Sequence, residues 1–540
     1  MKTTTNKHRN GLILCAAVGI FSVMLTYSCS RNDEDLLPTS QKQRHQVATK
    51  TTSGDMMALL KSNYDPYRFE NMYSIFLNLS SRPAGMTLSP TGMYVRVLPS
   101  SEYQLDYIES DTNQLWFDYP LDCEVVNAGY YYQDPNTPTD SITWLYGVVP
   151  LNYQFADSIF YEVLYDVFIP EDAPDYNDIK DFYDLLEATS CDIAASQNGT
   201  YSEKPVDTKA STQKWTPSAT ITYQDQLAST SDIPLGGVRV VFKKGTKVSD
   251  AITNSAGQCQ SSKKFRDKVE YSIKWDRKYW KIRYDKNQAY TTGPKSNSSW
   301  TLNMQESTID NMFALIHRAL ITTYYGNFGN IEKPTVTFKM KIGYIHGYDP
   351  SYRGIHTSSS TIFTKEIIKI WGLDSTFHPR KPHQIIQTAF HELGHRSHLN
   401  FVGKNKFVQT NKFIKESWAV CIAWAMIRSY YASQGVTLSE HDGHIRHYQY
   451  LIPGTKQGDE CTPYTAIFVD LMDTYNQHSY YNELPNDNIS NYTLKQIQDN
   501  LIYSARDLST LQNALNTYLL NGTTTSDVST MVGYYSGFGY

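Results

Sequence analysis

The sequence predicts a multidomain protein with a β-rich N-terminal region, a small β-sandwich, and a C-terminal α+β domain whose second half is mostly helical. Three observations predict it. A chain of 540 residues is long for one hydrophobic core, so several domains are expected. Up to about residue 300, short apolar runs alternate with polar residues between turn clusters, which is the pattern of strands. Beyond residue 301, apolar residues recur at helical spacing over longer stretches.

At the N-terminus Lys2, Lys7, His8 and Arg9 form a basic start, and Gly11 to Leu25 is an apolar run of fifteen residues. That run is short for a bilayer span and reads as the core of an export signal. Cys29 follows Ser28 just beyond it, and the chain then turns polar and acidic through Asp33, Glu34 and Asp35. This arrangement resembles a bacterial lipoprotein signal, with Thr26 where a leucine is usual and Leu25 one place earlier. The resemblance implies a signal over 1–29, Cys29 as the lipidated first residue of the mature chain, and a membrane contact through that lipid alone. Loose signals of this kind followed by acidic residues are similar to those of Bacteroidetes surface lipoproteins, so an exported, outer-membrane location is expected. Residues 30–58, rich in Gln, Thr, Lys and Ser, read as a flexible tether.

Residues 59–215 mix strand-like runs, such as 93–98 and 142–149, with a helical stretch from Asp175 to Ala194, and carry no chemical motif. Residues 216–300 differ. Pro234 to Phe242 is a turn and a strand, Thr253 to Gly257 is a hairpin-type turn, and Val269 to Trp275 alternates as a strand does. This order resembles the transthyretin-like β-sandwich called the carboxypeptidase regulatory-like domain, which implies a bracing module without chemistry of its own.

Within 301–540, Thr308 can cap a helix carrying Ile309, Met312, Phe313, Ile316 and Leu320. Val336, Phe338, Met340 and Ile342 alternate as a strand, and Gly354 to Phe363 is a second extended run. Lys381 and Pro382 then open a helix with Ile385, Ile386, Ala389, Phe390, Leu393 and Leu399 at helical spacing. On it lies His391-Glu392-Leu393-Gly394-His395, a complete HExxH pattern. Two histidines four residues apart share one helix face and can reach one Zn²⁺. The glutamate between them then sits where a general base is needed. Further helices are expected from Tyr464 to Asn476 and from Thr493 to Leu520, the latter opened by a capping box at Thr493 and Gln496.

Two residues compete to be the third ligand. His398 shares the face of His395 but stands about 10 Å along the axis from His391, too far for all three to meet one ion on a straight helix. Glu416 follows a loop-like stretch at Gly403 to Lys406 and begins a second apolar helix, from which a carboxylate completes a His₂Glu set. A helix-dipole glutamate is the other reading of Glu416.

With HExxH and a glutamate 21 positions beyond its last histidine, the chain resembles the gluzincin group of zinc metallopeptidases, and Glu416-Ser417-Trp418-Ala419 is similar to the third-ligand segment of aminopeptidase relatives. The resemblance implies a zincin-like domain, an α/β half followed by a helical half, with one zinc ion held by His391, His395 and Glu416 between them. It also implies Glu392 as general base toward a zinc-activated water, acting on a peptide or glycoprotein substrate. In such folds an edge strand above the motif helix pairs with substrate backbone; Ile355, Thr357 and Ser359 mark the candidate strand. Tyr464, His441, His444 and His447 are candidate transition-state stabilisers. One departure is that Val420 stands four residues after Glu416, where thermolysin-like members carry an aspartate.

Composition narrows the alternatives. With 49 basic and 54 acidic residues the net charge is −5, which provides no basic field for nucleic acid. The 42 tyrosines are read as β-rich packing. Of seven cysteines, five lie beyond the leader, scattered and odd in number, so no disulfide framework is evident. Against a metallopeptidase stand a non-catalytic glycan- or protein-binding lipoprotein and an exported cell-wall amidase.

Overall fold

The structure, a computed structural model, describes residues 26–28, 54–138, 141–198, 213–357, 368–440, 442–451, 463–479 and 482–538. It is a multidomain mixed α/β chain with several sheets and, among the described residues, eleven α-helices. No helix among the described residues is long and apolar enough to cross a membrane. Cys29 lies outside the described residues.

The N-terminal region is built on a three-stranded antiparallel sheet in which Gly92–Leu98 is flanked by Leu145–Val149 and Phe160–Val167. Helices Phe69–Asn78 and Lys180–Gln197 cover it, joined by contacts such as Phe76 against Phe182. Two of these strands fall on the runs at 93–98 and 142–149, the second beginning only at Leu145, whereas Phe160–Val167 lies outside the runs read from the sequence. The second helix begins five residues later than expected because Pro174 and the turn at Asp175, whose carbonyl accepts from Asp178 and Ile179, hold the chain outside the helix.

In the next stretch, one sheet runs in the order Lys247–Ile252, Arg239–Lys244, Val269–Lys274, Tyr290–Ser296. A second runs Gln258–Gln260, Ser218–Tyr223, Trp300–Met304, with Ile233–Pro234 paired to Ser218–Tyr223. The turn at 253–257 is not a hairpin. It carries the chain from one sheet to the other, with Gly257 at φ +72° and its α-carbon so close to Ile221 O that a Cβ would lie 2.3 Å from it. Only glycine fits both requirements.

Residues 280–288 leave these two sheets. Trp280–Tyr284 pairs in parallel with Met340–Ile345, which pairs in parallel with Ile368–Trp371; Gly354–Thr357 then adds antiparallel at the edge. Asn287–Gln288 closes the far side, and the tripeptide Thr26–Ser28 pairs antiparallel with Gly354–Thr357 on its open edge. All six residues of Met340–Ile345 are buried, so it is not the half-exposed strand that alternation implied. The alternation has another cause. Trp280, Ile282, Tyr284, Met340, Ile342 and Tyr344 join the apolar core shared with helix Ile309–Tyr324. The residues between them face helix Glu102–Ser110 of the N-terminal region, where Lys281 pairs with Glu109, and Lys341 with Glu102 and with Asp106 at 2.8 Å. The N-terminal region therefore neutralises the basic back of this sheet.

The helical half begins with Pro382–Val402 and Lys412–Ser433. The helix expected over 464–476 shrinks to Ile467–Asp470, because Asp473 Oδ1 turns back to accept from the Tyr475 amide at 3.3 Å. The expected long helix after Thr493 keeps its capping box but breaks. Leu494–Ile497 passes into a π-helical turn at Gln498–Ile502, and Leu508–Thr517 restarts with Asp507 as its own cap. Cys123, Cys191, Cys259 and Cys421 are free thiols.

Glu109 tests the coupling of the N-terminal region to the sheet. Burial opposes its ionisation, but Lys281, Lys274 and Lys339 outweigh burial and hold its carboxyl down at about 2. A depressed carboxyl stabilises the fold fully above its unfolded value of 4.5, and the contribution is lost as pH falls through about 2. Glu109→Gln, which strands Lys281, is expected to cost about 3 kcal/mol in urea unfolding at pH 7. The gap to wild type should shrink as the same measurement is taken from pH 5 downward.

Candidate metal centre

The helix Pro382–Val402 starts cleanly. Pro382 sits where its missing N–H is not needed, and the Lys381 amide is capped by Gln384 Oε1 at 3.1 Å. It ends at Gly403, whose φ of 80° no β-carbon would favour. Lys412–Ser433 is capped by Asn411, whose side chain accepts from the Phe413 amide at 2.9 Å. An unbroken run from Phe413 to Trp424 is buried, as for a helix enclosed by its neighbours. The two helices pack closely at Gly394, where a Cβ would come within 3.2 Å of Ile422 Cδ1.

This packing brings the predicted ligands together. His391 Nε2 and His395 Nε2 lie 3.3 and 3.1 Å from the same oxygen, Glu416 Oε2. The three ligand atoms all fall within 4.8 Å of one another, and all three residues are buried, forming a group that could hold a metal ion. Donors about 2.0–2.1 Å from a tetrahedral ion stand about 3.3–3.4 Å apart, close to the two measured spacings. Glu416 is the fifth residue of its helix and completely enclosed, so it is not a solvent-facing glutamate attracted by a helix terminus.

The electrostatics fit a site built around a cation. Burial discourages charge on both imidazoles. On His391 burial prevails and its pKa is lowered; on His395 the charges of Glu416 and Glu392 outweigh burial and raise it. Burial likewise disfavours the Glu416 carboxylate, but His395 and His391 outweigh it and bring it down to about 2. A proton on His395 therefore occupies the place that a metal would take.

Glu392 is fully buried beside the triad, on the same turn as His391. Its carboxylate lies under the first residue of the edge strand. A Cβ on Gly354 would stand 2.6 Å from Glu392 Oε1 and 2.7 Å from Thr388 Cγ2. Arg380 holds this corner together, donating to Trp371 O at 3.0 Å and to Thr388 Oγ1 at 2.7 Å.

The remaining candidates separate. His398 is enclosed against Phe407, ring centroids 5.1 Å apart, away from the triad oxygen. Tyr464 is half-buried with its ring 6.3 Å from that of His391. His444 packs on His383, two turns before His391, and donates from Nδ1 to Asp442 Oδ1 over 2.7 Å. His447 stacks on Tyr448, its pKa pushed down to about 4 by burial and by Arg353. His441 and Ser359 lie outside the described residues. Ile355 is half-buried on the edge strand, and Thr357 pairs through its backbone with Thr26. Val420 packs in the core and supplies no carboxylate.

Two residues of this corner were not singled out from the sequence. Gly354 and His356 are the inward positions of the edge strand, and the fully buried His356 ring stacks 6.1 Å from His395. Strand alternation, which puts residues 354 and 356 on one face and Ile355 on the other, is the available signal.

No protein-family model matches the chain, and no curated protein does. Among solved structures it is similar to a 9R-lipoxygenase from Cyanothece PCC8801, at 10% identity over 52% of this chain and 37% of that one. The TM-score of 0.12 means that this likeness carries no argument.

Replacing Glu416 by alanine is expected to reduce bound metal from one equivalent per chain to about a tenth or less, read by elemental analysis of dialysed protein. Apparent affinity should also fall about tenfold per pH unit below the raised pKa of His395, because the proton and the metal compete for one nitrogen.

Proposed function

We propose that the chain is a surface-anchored zinc metallopeptidase that hydrolyses peptide bonds of extracellular protein or glycoprotein. The observation that carries this reading is Glu392, a buried carboxylate set beside a His₂Glu group and directly under a sheet edge. A site that held metal for structure alone would have no use for that carboxylate. Two imidazoles and one carboxylate make the donor set that suits zinc with a position left for water. Bound zinc would supply Lewis acidity toward the scissile carbonyl and a lowered pKa for water.

The residues of the chain provide the rest. Glu392 takes the proton of the attacking water on its carboxylate and returns it to the leaving nitrogen. Tyr464, its ring 6.3 Å from that of His391, is the residue to which this reading gives donation to the developing oxyanion. The edge strand Gly354–Thr357 aligns an extended substrate. In the structure its open edge is taken by Thr26–Ser28, antiparallel, the pairing that a substrate strand would use. Cleavage ahead of Cys29, which the leader's resemblance implies, removes that tripeptide and opens the edge.

The experiment is cleavage of a mixed peptide and glycoprotein library, followed by mass spectrometry, alongside metal content. Glu392→Gln is expected to keep its metal and lose about 10²–10⁴-fold in kcat/KM. Gly354→Ala should also keep its metal and lose about 10²-fold, since its new methyl displaces the Glu392 carboxylate. Stoichiometric zinc with no cleavage that depends on Glu392 would sink the proposal.

A further inference from the structure

The edge strand Gly354–Thr357 carries one inward histidine that belongs to no motif of the sequence. His356 is 0% exposed, and its Nδ1 and Nε2 are both sealed from solvent without a hydrogen-bond partner among the described residues. Its main chain is held between Ile368 on one side and Tyr27 on the other. Its ring lies 6.1 Å from that of His395, the two planes 25° apart. Leaving a buried polar group unpaired costs about 1–3 kcal/mol, and an apolar side chain here would avoid that cost. A polar ring kept beside a metal ligand on those terms points to a partner made when the site is loaded.

The partner follows from the proton on His395. Its Nε2 stands 3.1 Å from Glu416 Oε2, a contact in which the nitrogen donates. A metal ion on that nitrogen needs its lone pair, so the neutral ligand carries its one ring proton on Nδ1. A ligating histidine almost always donates that second N–H to an acceptor, which fixes both tautomer and ring direction. Four residues after Glu416, Val420 is buried and offers no carboxylate for the purpose. His356 offers an acceptor instead. A fully enclosed imidazole stays neutral, since burial disfavours its charge, and a neutral ring has one nitrogen lone pair. Two imidazoles joined by a hydrogen bond of about 2.9 Å have centres roughly 5 Å apart. The spacing of His356 and His395 exceeds that by about 1 Å, which a tilt of the His356 ring closes.

We propose that His356 is the positioning residue of the metal centre: its imidazole accepts the Nδ1–H of His395 and holds Nε2 toward the ion. This rests on the metal-holding part of the function proposed above and on no step of catalysis. One residue then joins two parts of the site. The main chain of His356 belongs to the strand assigned to substrate alignment, while its side chain sets the direction of a metal ligand. His398 is enclosed to the same degree, and its ring nitrogens also lack a partner among the described residues, yet its ring meets Phe407 edge-on at 81°.

The test is the Zn²⁺ affinity of the zinc-stripped full-length chain, read by competition with a chromogenic chelator, with melting curves of the stripped protein alongside. His356→Leu and His356→Phe should each bind Zn²⁺ about 10–100-fold more weakly than wild type while melting no lower, because each removes an unpaired buried polar group. His356→Gln, whose amide oxygen can accept the same N–H, should recover affinity to within about threefold of wild type. His398→Leu should leave the affinity unchanged, which a general effect of replacing buried histidines would not. Unaltered affinity in both apolar variants overturns the proposal. So does a glutamine variant no tighter than they are, an equal loss in His398→Leu, or a loss that comes with a lower Tm of the stripped protein. A wild-type chain that takes up no Zn²⁺ overturns it too. Cleavage plays no part in the readout, so a chain with these affinities that cuts no peptide sinks the peptidase reading alone.

Discussion

Three polar side chains buried in the seam between two apolar helices are tolerable only if they meet one another. The seam between Pro382–Val402 and Lys412–Ser433 meets that condition at a single point, where His391, His395 and Glu416 converge on one oxygen. Everything nearby serves to fix it. Gly394 lets Ile422 approach, so the helices sit close enough for the short glutamate side chain to reach both rings. Asn411 sets where the second helix starts, and therefore which of its faces carries Glu416. A slip of one residue in that start would rotate Glu416 by about 100° away from the histidines.

A second constraint lies behind the sheet. Its central strands alternate apolar and basic side chains, and neither set meets water. The apolar set packs on helix Ile309–Tyr324; the basic set is met by acidic residues from helix Glu102–Ser110. Removing the N-terminal region would leave Lys281 and Lys341 on a bare surface and the parallel strands without one of their two cover layers. The region that carried no chemical motif thus has a physical task on the face opposite the apolar core.

The sequence made the metal triad legible because helical spacing is a strong geometric statement. Positions four apart on one helix share a face whatever surrounds them, and the axial distance that argues against His398 agrees with its packing on Phe407. The edge strand was legible in place but not in detail. The run from Gly354 reads as extended, but alternation alone does not say which face is the core, so the sequence points to Ile355 and Thr357 while Gly354 and His356 are the buried positions. The strand at 340–345 and the hairpin at 280–288 were harder still. A strand buried on both faces by two different chemistries looks like a half-exposed one, and pairing between segments about 60 residues apart leaves no local trace. The helix lengths after Tyr464 failed for another reason: an Asx turn at Asp473 and a cap at Asp507 act over three or four residues and overrule apolar periodicity.

What the edge strand does for Glu392 follows from one missing atom. Gly354 has no Cβ, and the space a Cβ would fill is held by the Glu392 carboxylate and the Thr388 methyl. The backbone of the strand can therefore lie directly over the carboxylate. A larger residue at 354 would move the strand outward or push the carboxylate down. Arg380 keeps the two from drifting apart, since it bonds the end of the neighbouring strand at Trp371 and the helix at Thr388 with the same guanidinium. The spacing between the Glu392 carboxylate and the strand is thus set by backbone contact, which varies less than any rotamer could.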